Sequence, residues 1–228
     1  MRAAVVVVVG SLLGLGACPA PSGVEVGERL FADPQFSESA FNSFSCATCH
    51  QVAEAVGPRI AAPLNDVVTR GSWWGGYAPR LDGVDFCNVF FMRGDPLDRT
   101  SPRARALYEY LASISPTSAA AARSTTWIEN VTSVARGDPR RGEDVWNASC
   151  RTCHGDPQTG NGRINERASV VPDASQQFAD DNGFEVDLVV IEKVRHGQFF
   201  GVGGNMPPFS LESLSDEDLG ALLAFLEI

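Results

Sequence analysis

The chain has 228 residues, a hydrophobic share of 44% and a formal net charge of -10. This length allows one domain or two small ones, and the composition is that of a globular protein with a packed core. The acidic balance argues against nucleic acid as a partner, because nucleic-acid-binding proteins present basic surfaces.

The first residues are typical of a targeting segment rather than of a folded element. "MRAAVVVVVGSLLGLGAC" has one Arg, a long apolar run and then small residues, which is the pattern of an export signal. The run is too short and too interrupted by Gly to predict a membrane span. Its end resembles the bacterial lipobox, which implies a signal peptide at 1–17, an acylated Cys18 and a tether at 18–23. The alternative is a cleaved secretory signal with an incidental Cys, and both interpretations predict export from the cytoplasm.

One six-residue word occurs twice, as SCATCH at 45–50 and as SCRTCH at 149–154. C-x-x-C-H is typical of c-type haem attachment, because two thiols join one porphyrin edge and the adjacent His turns its imidazole towards the iron. A thioredoxin-like pair lacks its βαβ context here, and a zinc site leaves both His residues unexplained. We therefore predict two covalently bound haem c groups, held by Cys46, Cys49 and His50 in the first half and by Cys150, Cys153 and His154 in the second.

A wider internal repeat surrounds these words. GERLF at 27–31 and GEDVW at 142–146 share one pattern, and 142 minus 27 gives an offset of 115. LYEYL at 107–111 and LLAFL at 222–226 have the same offset, whereas the haem words differ by only 104. The first half thus carries eleven extra residues, ADPQFSESAFN, before its haem word, the six residues SCATCH. Two matches at one offset around a repeated motif predict a duplicated domain.

Helix signals occur in both halves. "SDEDLGALLAFLEI" has Ser215 as a candidate N-cap, an acidic first turn and a Leu stripe, and "SPRARALYEYLASI" has Ser101 followed by Pro102 at the first helical position. Period-two strand patterns are absent. We predict a mostly α protein with two tandem helical domains at 24–116 and 137–228, joined by a linker at 117–136.

The second half resembles a class I cytochrome c module through "GEDVWNASCRTCHG", "VRHG", "GNMPPFS" and "LSDEDLGALLAFL". The resemblance implies a tandem cytochrome c-type fold in which His154 and Met206 ligate the second haem iron, with Pro207 and Pro208 holding the Met loop. Met206 lies in a Gly/Pro loop rather than on a helix stripe, where a core Met is expected. His196 is interpreted as a hydrogen-bonded neighbour of the site and not as a ligand.

The sixth ligand of the first haem has two candidates, Met92 and Cys87. Adding 115 to 92 gives 207, one residue from Met206, which favours Met92. "FCNVFFMRGDPLD…SPRARALYEYL" resembles dihaem thiosulfate dehydrogenases, which implies Cys87 instead. Five residues on a helix correspond to about 140° of rotation, so we predict that these two side chains do not face the same iron. A looser resemblance links "LFADPQFSESAFNSFSCATCH" to bacterial dihaem peroxidases.

These observations predict a lipid-anchored dihaem electron carrier on the periplasmic or cell-surface side, exchanging single electrons with an oxidase, a reductase or another cytochrome. The alternative is an oxidoreductase of the thiosulfate dehydrogenase type, with Cys87 on the first haem. Arginines for an anionic substrate are available at Arg59, Arg70, Arg80 and Arg93. The pair Trp73 and Trp74 is expected to pack on haem or core.

Overall fold

The computed structural model describes residues 20–70, 80–197 and 204–228, with only the backbone of 80–82. Among these residues the regular elements are helices, and no β-strand forms. The α-helices are α1 (Gly23–Ala32), α2 (Cys46–Cys49), α3 (Arg80–Phe90), α4 (Pro102–Ser113), α5 (Pro139–Val145), α6 (Arg151–His154), α7 (Asp173–Asn182), α8 (Val186–His196) and α9 (Asp216–Phe225). A 3-10 helix spans Pro34–Ser37, and a π-helical turn spans Trp146–Cys150.

Capping side chains begin the main helices where the sequence predicts. The Ser101 side chain accepts a hydrogen bond from the Ala104 amide, and Pro102 occupies the first position of α4. The Ser215 side chain accepts from the Asp218 amide, and the Asp218 carboxylate accepts from the Ser215 backbone in return. Each cap satisfies backbone N–H groups that have no partner within the helix.

The two halves repeat one helix crossing, α1 on α4 and α5 on α9. Gly27 of α1 lies against the backbone of α4, where an added Cβ would stand 2.0 Å from the Ala106 carbonyl oxygen. Gly142 of α5 lies against α9 in the same way, 2.1 Å from the Ala221 carbonyl oxygen. Gly27 and Gly142 differ by 115 positions, and so do Ala106 and Ala221. The sequence offset therefore reappears as equivalent packing in space.

Each helix pair has its own hydrophobic core. The first core is built around Phe31, Leu107 and Leu111, and the second around Val145, Leu219 and Leu223. Val131 and Val134 pack against the second core, so the end of the predicted linker is packed as part of the second domain. The predicted boundaries at 116 and 137 stay predictions.

The linker crosses both domains without forming a helix. Ala120 donates its amide to the Thr69 carbonyl at 3.1 Å, and Leu211 donates its amide to the Thr126 carbonyl at 3.0 Å. Arg123 binds Glu54 and Asp66 of the first domain. These contacts fasten the linker over the junction where the candidate sites lie. Within the described part of the chain, no helix is long and apolar enough to cross a membrane.

Candidate functional site

A first cavity of about 480 Å³ lies inside the first domain, within the roughly 300–1,000 Å³ of cofactor pockets. Cys46, Cys49 and His50 line it, and so do Cys87 and Met92. Phe31, Phe36, Leu107 and Leu111 supply apolar surface. The arrangement places the two motif thiols, the additional thiol of Cys87, an imidazole and a thioether around one largely apolar space.

A second cavity of about 540 Å³ lies in the second domain. Cys150, Cys153, His154 and Met206 line it, together with aliphatic side chains from α8 and α9. The π-helical turn Trp146–Cys150 leads into this haem word, and such turns are frequent at functional sites. The motif thiols, the imidazole and the thioether of the first cavity are thus repeated.

Each motif histidine is oriented by a hydrogen bond to a backbone carbonyl of its own domain. The Nδ1–H of His50 donates to the Ala62 carbonyl at 2.8 Å, and that of His154 donates to the Ser169 carbonyl at 2.8 Å. Burial lowers the pKa of each imidazole, which favours the neutral form. This hydrogen bond leaves Nε2 with its lone pair, as metal-ligating histidines require.

The motif cysteines lie in surroundings that suppress thiolate formation. Burial raises the pKa of Cys46 to about 11, and burial raises the pKa of Cys49 and of Cys150 to about 12. A redox-active C-x-x-C pair needs the opposite, an electropositive site that lowers the thiol pKa. No group of three or more His, Cys, Asp or Glu suited to a metal ion occurs among the described residues. The raised thiol pKa values do not support the thioredoxin-like interpretation.

The prediction that Cys87 and Met92 do not face the same iron stays a prediction, but both side chains line the first cavity. Helix α3 ends at Phe90, and Met92 donates its amide back to the Cys87 carbonyl at 3.1 Å. Because the chain turns there, the helical angle of about 140° no longer applies. Both side chains line the first cavity, and Met92 is the more buried, with 4% of its surface exposed. Burial raises the pKa of Cys87 to about 12.

The wall of the first cavity includes cationic groups that suit a porphyrin carboxylate. Arg59 and Arg70 line the first cavity, and within the described structure their buried Nε atoms have no hydrogen-bond partner. Buried donors are normally paired, and a haem carries two propionate carboxylates. Together with the thiols, the imidazole and the thioether, these donors show that the residues present fit a haem.

Each cavity is completed by the opposite domain. Asn205, Pro207 and Pro208 of the second domain reach the wall of the first cavity, and Arg93 of the first domain reaches the wall of the second. Five residues line both spaces: Phe44, Ile60, Cys153, Asn205 and Pro207. The two candidate haem sites therefore adjoin.

Two residues that shape these walls escaped the sequence analysis. Arg195 is 2% exposed and donates to the Leu214 carbonyl at 2.7 Å and to Asp216 at 2.6 Å, which holds the segment after Met206 on α8. Gly197 then lets that segment approach, since an added Cβ would stand 2.3 Å from the Met206 carbonyl oxygen. The only sequence signal for these two residues was their position on either side of the His in "VRHG".

Other candidates from the sequence lie outside these walls or outside the described residues. His196 bonds Glu192 at 3.1 Å and the Ile128 carbonyl at 2.9 Å, in keeping with its interpretation as a hydrogen-bonded neighbour rather than a ligand. Cys18, Trp73 and Trp74 lie outside the described residues, as does the Arg80 side chain. The assignment of His50, Met92, His154 and Met206 to iron, and of Cys87 as an alternative, stays a prediction.

Comparisons with known proteins match the two halves to different haem families. Residues 137–226 match the model of cytochrome c oxidase, cbb3-type, subunit III. Residues 21–95 match the model of di-haem cytochrome c peroxidase, the looser of the resemblances seen for the first half. No curated protein matches the chain significantly.

Among solved structures the chain is similar to thiosulfate dehydrogenase TsdBA from Marichromatium purpuratum in its as-isolated form, with 15% identity and a TM-score of 0.44. The likeness covers 93% of this chain and 48% of that one, so the chain spans about half the length of that protein. The helical architecture and the two family matches confirm the predicted fold class: the chain consists of two cytochrome c-type domains in tandem.

Proposed function

We propose that this chain is an exported, membrane-anchored dihaem cytochrome c that carries single electrons between redox partner proteins. The observation that carries the proposal is the pair of adjoining cavities, each with a C-x-x-C-H motif and a methionine on its wall. When bound, a haem supplies an iron that changes its oxidation state by one electron.

The protein residues would hold each haem and fill both axial positions. The thiols of Cys46, Cys49, Cys150 and Cys153 would form the thioethers, and His50 and His154 would present Nε2. Met92 and Met206 would supply the sixth ligands, and an axial Met raises the reduction potential. Two filled positions leave no place for substrate, which favours a carrier over a catalyst.

The shared wall supports transfer between the two haems inside one molecule. Because Cys153 borders both cavities, a porphyrin bonded to it would lie against the neighbouring site. The apolar surroundings exclude water and help to set both potentials. We propose that the partners are an oxidase, a reductase or another cytochrome, which would dock transiently at an exposed haem edge.

Export and anchoring are supported by residues 1–18. The apolar run followed by LGAC suits a lipoprotein signal, and acylation of Cys18 would hold the protein on a membrane surface on the periplasmic or cell-surface side. Replacing Cys18 by Ser should release the protein from the membrane fraction, as immunoblotting of fractionated cells would show.

Mass spectrometry tests the cofactor proposal directly. Protein purified from a host that attaches haem c should weigh the polypeptide plus two haem groups, and replacing Cys46 and Cys49 by Ala should remove one of them. Material that weighs only the polypeptide plus lipid, and is colourless, contradicts the proposal.

The second candidate is an oxidoreductase of the thiosulfate dehydrogenase type, favoured by the position of Cys87 on the first cavity. Cys87 would then ligate the first iron, and Arg59 and Arg70 would favour an anionic substrate. Spectra of Cys87→Ala and Met92→Ala separate the two functions. A thiolate signature that disappears in Cys87→Ala together with thiosulfate oxidation selects the enzyme, and loss of the low-spin first haem in Met92→Ala selects the carrier.

A further inference from the structure

One amide side chain joins the two segments that carry the candidate sixth ligands. Asn205 precedes Met206, and its Nδ2 donates to the carbonyl of Phe91 at 2.8 Å. Its Oδ1 accepts a hydrogen bond from the guanidinium of Arg93. Phe91 and Arg93 flank Met92, so the residue next to one methionine holds both neighbours of the other, across the domain junction.

Only an amide satisfies both partners. The Phe91 carbonyl needs a donor and the Arg93 guanidinium needs an acceptor, and Asn supplies both from one short side chain. An Asp at position 205 would keep the Arg93 contact but would set a carboxylate oxygen against the Phe91 carbonyl. The side chain at position 205 is therefore specific to this junction.

The Met92 turn is shaped to deliver Arg93 to this contact. Arg93 has a φ of 59°, in the left-handed region that a residue with a side chain adopts only at a cost in backbone energy. Asn88 stabilises the turn. Its side-chain amide donates to the Asp95 carbonyl at 2.7 Å, and its backbone carbonyl accepts a hydrogen bond from the Gly94 amide at 2.9 Å. A strained residue with its side chain fixed at a domain junction indicates a functional constraint.

Arg93 and Asn205 each line the cavity of the opposite domain. Arg93 of the first domain lines the second cavity beside Met206, and Asn205 of the second domain lines the first cavity beside Met92. Movement of either methionine segment would thus displace a wall of the opposite site.

We propose that Asn205 is a positioning residue that couples the two haem sites, so that methionine ligation at each haem depends on the state of the other. The inference rests on the proposed function, because it needs a haem in each cavity and Met92 and Met206 as sixth ligands. The Asn205 amide holds both methionine segments in one arrangement. A ligand change at one haem is then transmitted through a single shared side chain.

Competition with imidazole measures this coupling in the intact dihaem protein. The chain has three methionines, and Met1 lies in the predicted signal, so isotope-labelled methyl groups report Met92 and Met206 separately through their hyperfine-shifted resonances. In Asn205→Ala we expect imidazole to displace Met92 at a concentration lower by about threefold to tenfold, the weight of one or two hydrogen bonds. Met206 should also be displaced more readily.

The reciprocal variant and a control make the experiment decisive. Arg93→Gly removes the guanidinium, while Gly accepts the left-handed backbone, and it should ease displacement of Met206 in the other domain. Ser43→Ala removes a different interdomain hydrogen bond, the one that Ser43 accepts from Asn165 at 3.0 Å, and should change neither titration. Combining Asn205→Ala with Arg93→Gly should add little, because one contact is removed twice.

Three results would overturn the inference. In the first, Asn205→Ala eases displacement of Met206 but leaves Met92 unchanged. In the second, Ser43→Ala has the same effect as Asn205→Ala, which indicates a general loosening of the junction. In the third, a protein with two haem masses shows no hyperfine-shifted Met92 methyl. A protein without two haem masses contradicts the proposed function instead, so the two failures are distinguished.

Discussion

At the scale of single residues, hydrogen bonds within the protein already orient the candidate ligands of each site. His50 and His154 use Nδ1 for a backbone carbonyl at the same distance of 2.8 Å, which leaves Nε2 as the atom that would ligate the proposed iron. Met206 is held in place from two sides, since Arg195 fixes the following segment and Gly197 admits its carbonyl. The proposed ligand atoms are thus positioned by neighbours that carry no redox chemistry themselves.

Removal of the Met206 thioether should affect one haem selectively. We expect Met206→Ala to abolish the methionine-to-iron charge-transfer band of the second haem and to lower its midpoint potential. The shift should be on the order of 0.1 V, a fraction of the roughly 0.8 V that axial ligands span. Optical redox titration measures both quantities, and an unchanged second haem would show that Met206 is not its ligand.

At the scale of helices, one crossing is built twice with the same small residue at its centre. Gly27 and Gly142 bring α1 and α5 into contact with the backbones of α4 and α9. The haem word follows α5 directly through the π-helical turn, whereas the first domain inserts Pro34–Ser37 and the loop after it. After the same helix crossing, the chain therefore follows a different path to the cavity in each domain.

Gly27→Ala and Gly142→Ala should each destabilise one domain. The added Cβ would stand 2.0 Å or 2.1 Å from a carbonyl oxygen, and a backbone atom cannot rotate away. We expect the free energy of unfolding to fall by about 1–3 kcal/mol through overpacking, although Ala favours a helix over Gly by about 1 kcal/mol. Denaturant titration of the haem absorbance measures the loss.

Exposed neighbours on the same helices provide matched controls for this prediction. Glu28 and Glu143 are exposed on α1 and α5, so Glu28→Ala and Glu143→Ala should change the stability by less than about 0.5 kcal/mol. A glycine variant as stable as its control would show that the helices have room to separate.

At the scale of the whole molecule, the linker fastens the two domains over their shared wall. Arg123 pairs with Glu54 at 2.7 Å, and hydrogen bonding to Arg123 lowers the pKa of Glu54 to about 2. Burial raises the pKa of Glu212, but hydrogen bonds from the amide and hydroxyl of Thr126 outweigh it and lower the pKa to about 2. Carboxylates of both domains thus hold the linker, Glu54 and Asp66 in the first and Glu212 in the second.

Acid should release this linker before it unfolds the cores. Glu54 and Glu212 have folded pKa values below the ordinary value of about 4.3. Above that pH both groups are ionised and stabilise the attachment of the linker fully. This stabilisation is lost as the pH falls through about 2. Hydrogen exchange of residues 121–128 should therefore rise between about pH 4 and pH 2, while α4 and α9 stay protected.

Replacement of Arg123 tests the cause of this transition. Without the guanidinium, Glu54 should titrate near its ordinary value of about 4.3, and its protonation should no longer affect the linker. In Arg123→Gln, exchange of residues 121–124 should therefore be faster already at neutral pH and should lose its step near pH 2. Residues 125–128, held by Glu212, should keep the transition near pH 2. Equal exchange in both proteins at every pH would contradict a role for Arg123.

Local sequence was sufficient for the chemistry that neighbouring residues carry. Two thiols and a His within five positions define a haem attachment word because porphyrin chemistry fixes their spacing. Ser101 and Ser215 mark helix starts through bonds that reach only three residues, and the offset of 115 predicted a duplicated domain. The fold class followed from such short-range signals.

Only the tertiary structure decided which residues surround the two C-x-x-C-H motifs. Cys87 and Met92 share a cavity because α3 ends at Phe90, a boundary that helical periodicity did not predict. Asn205 reaches Phe91 and Arg93 from more than a hundred residues away. Contacts of that kind depend on how two packed domains meet, and the free energy of their junction is spread over residues that carry no local signature of it.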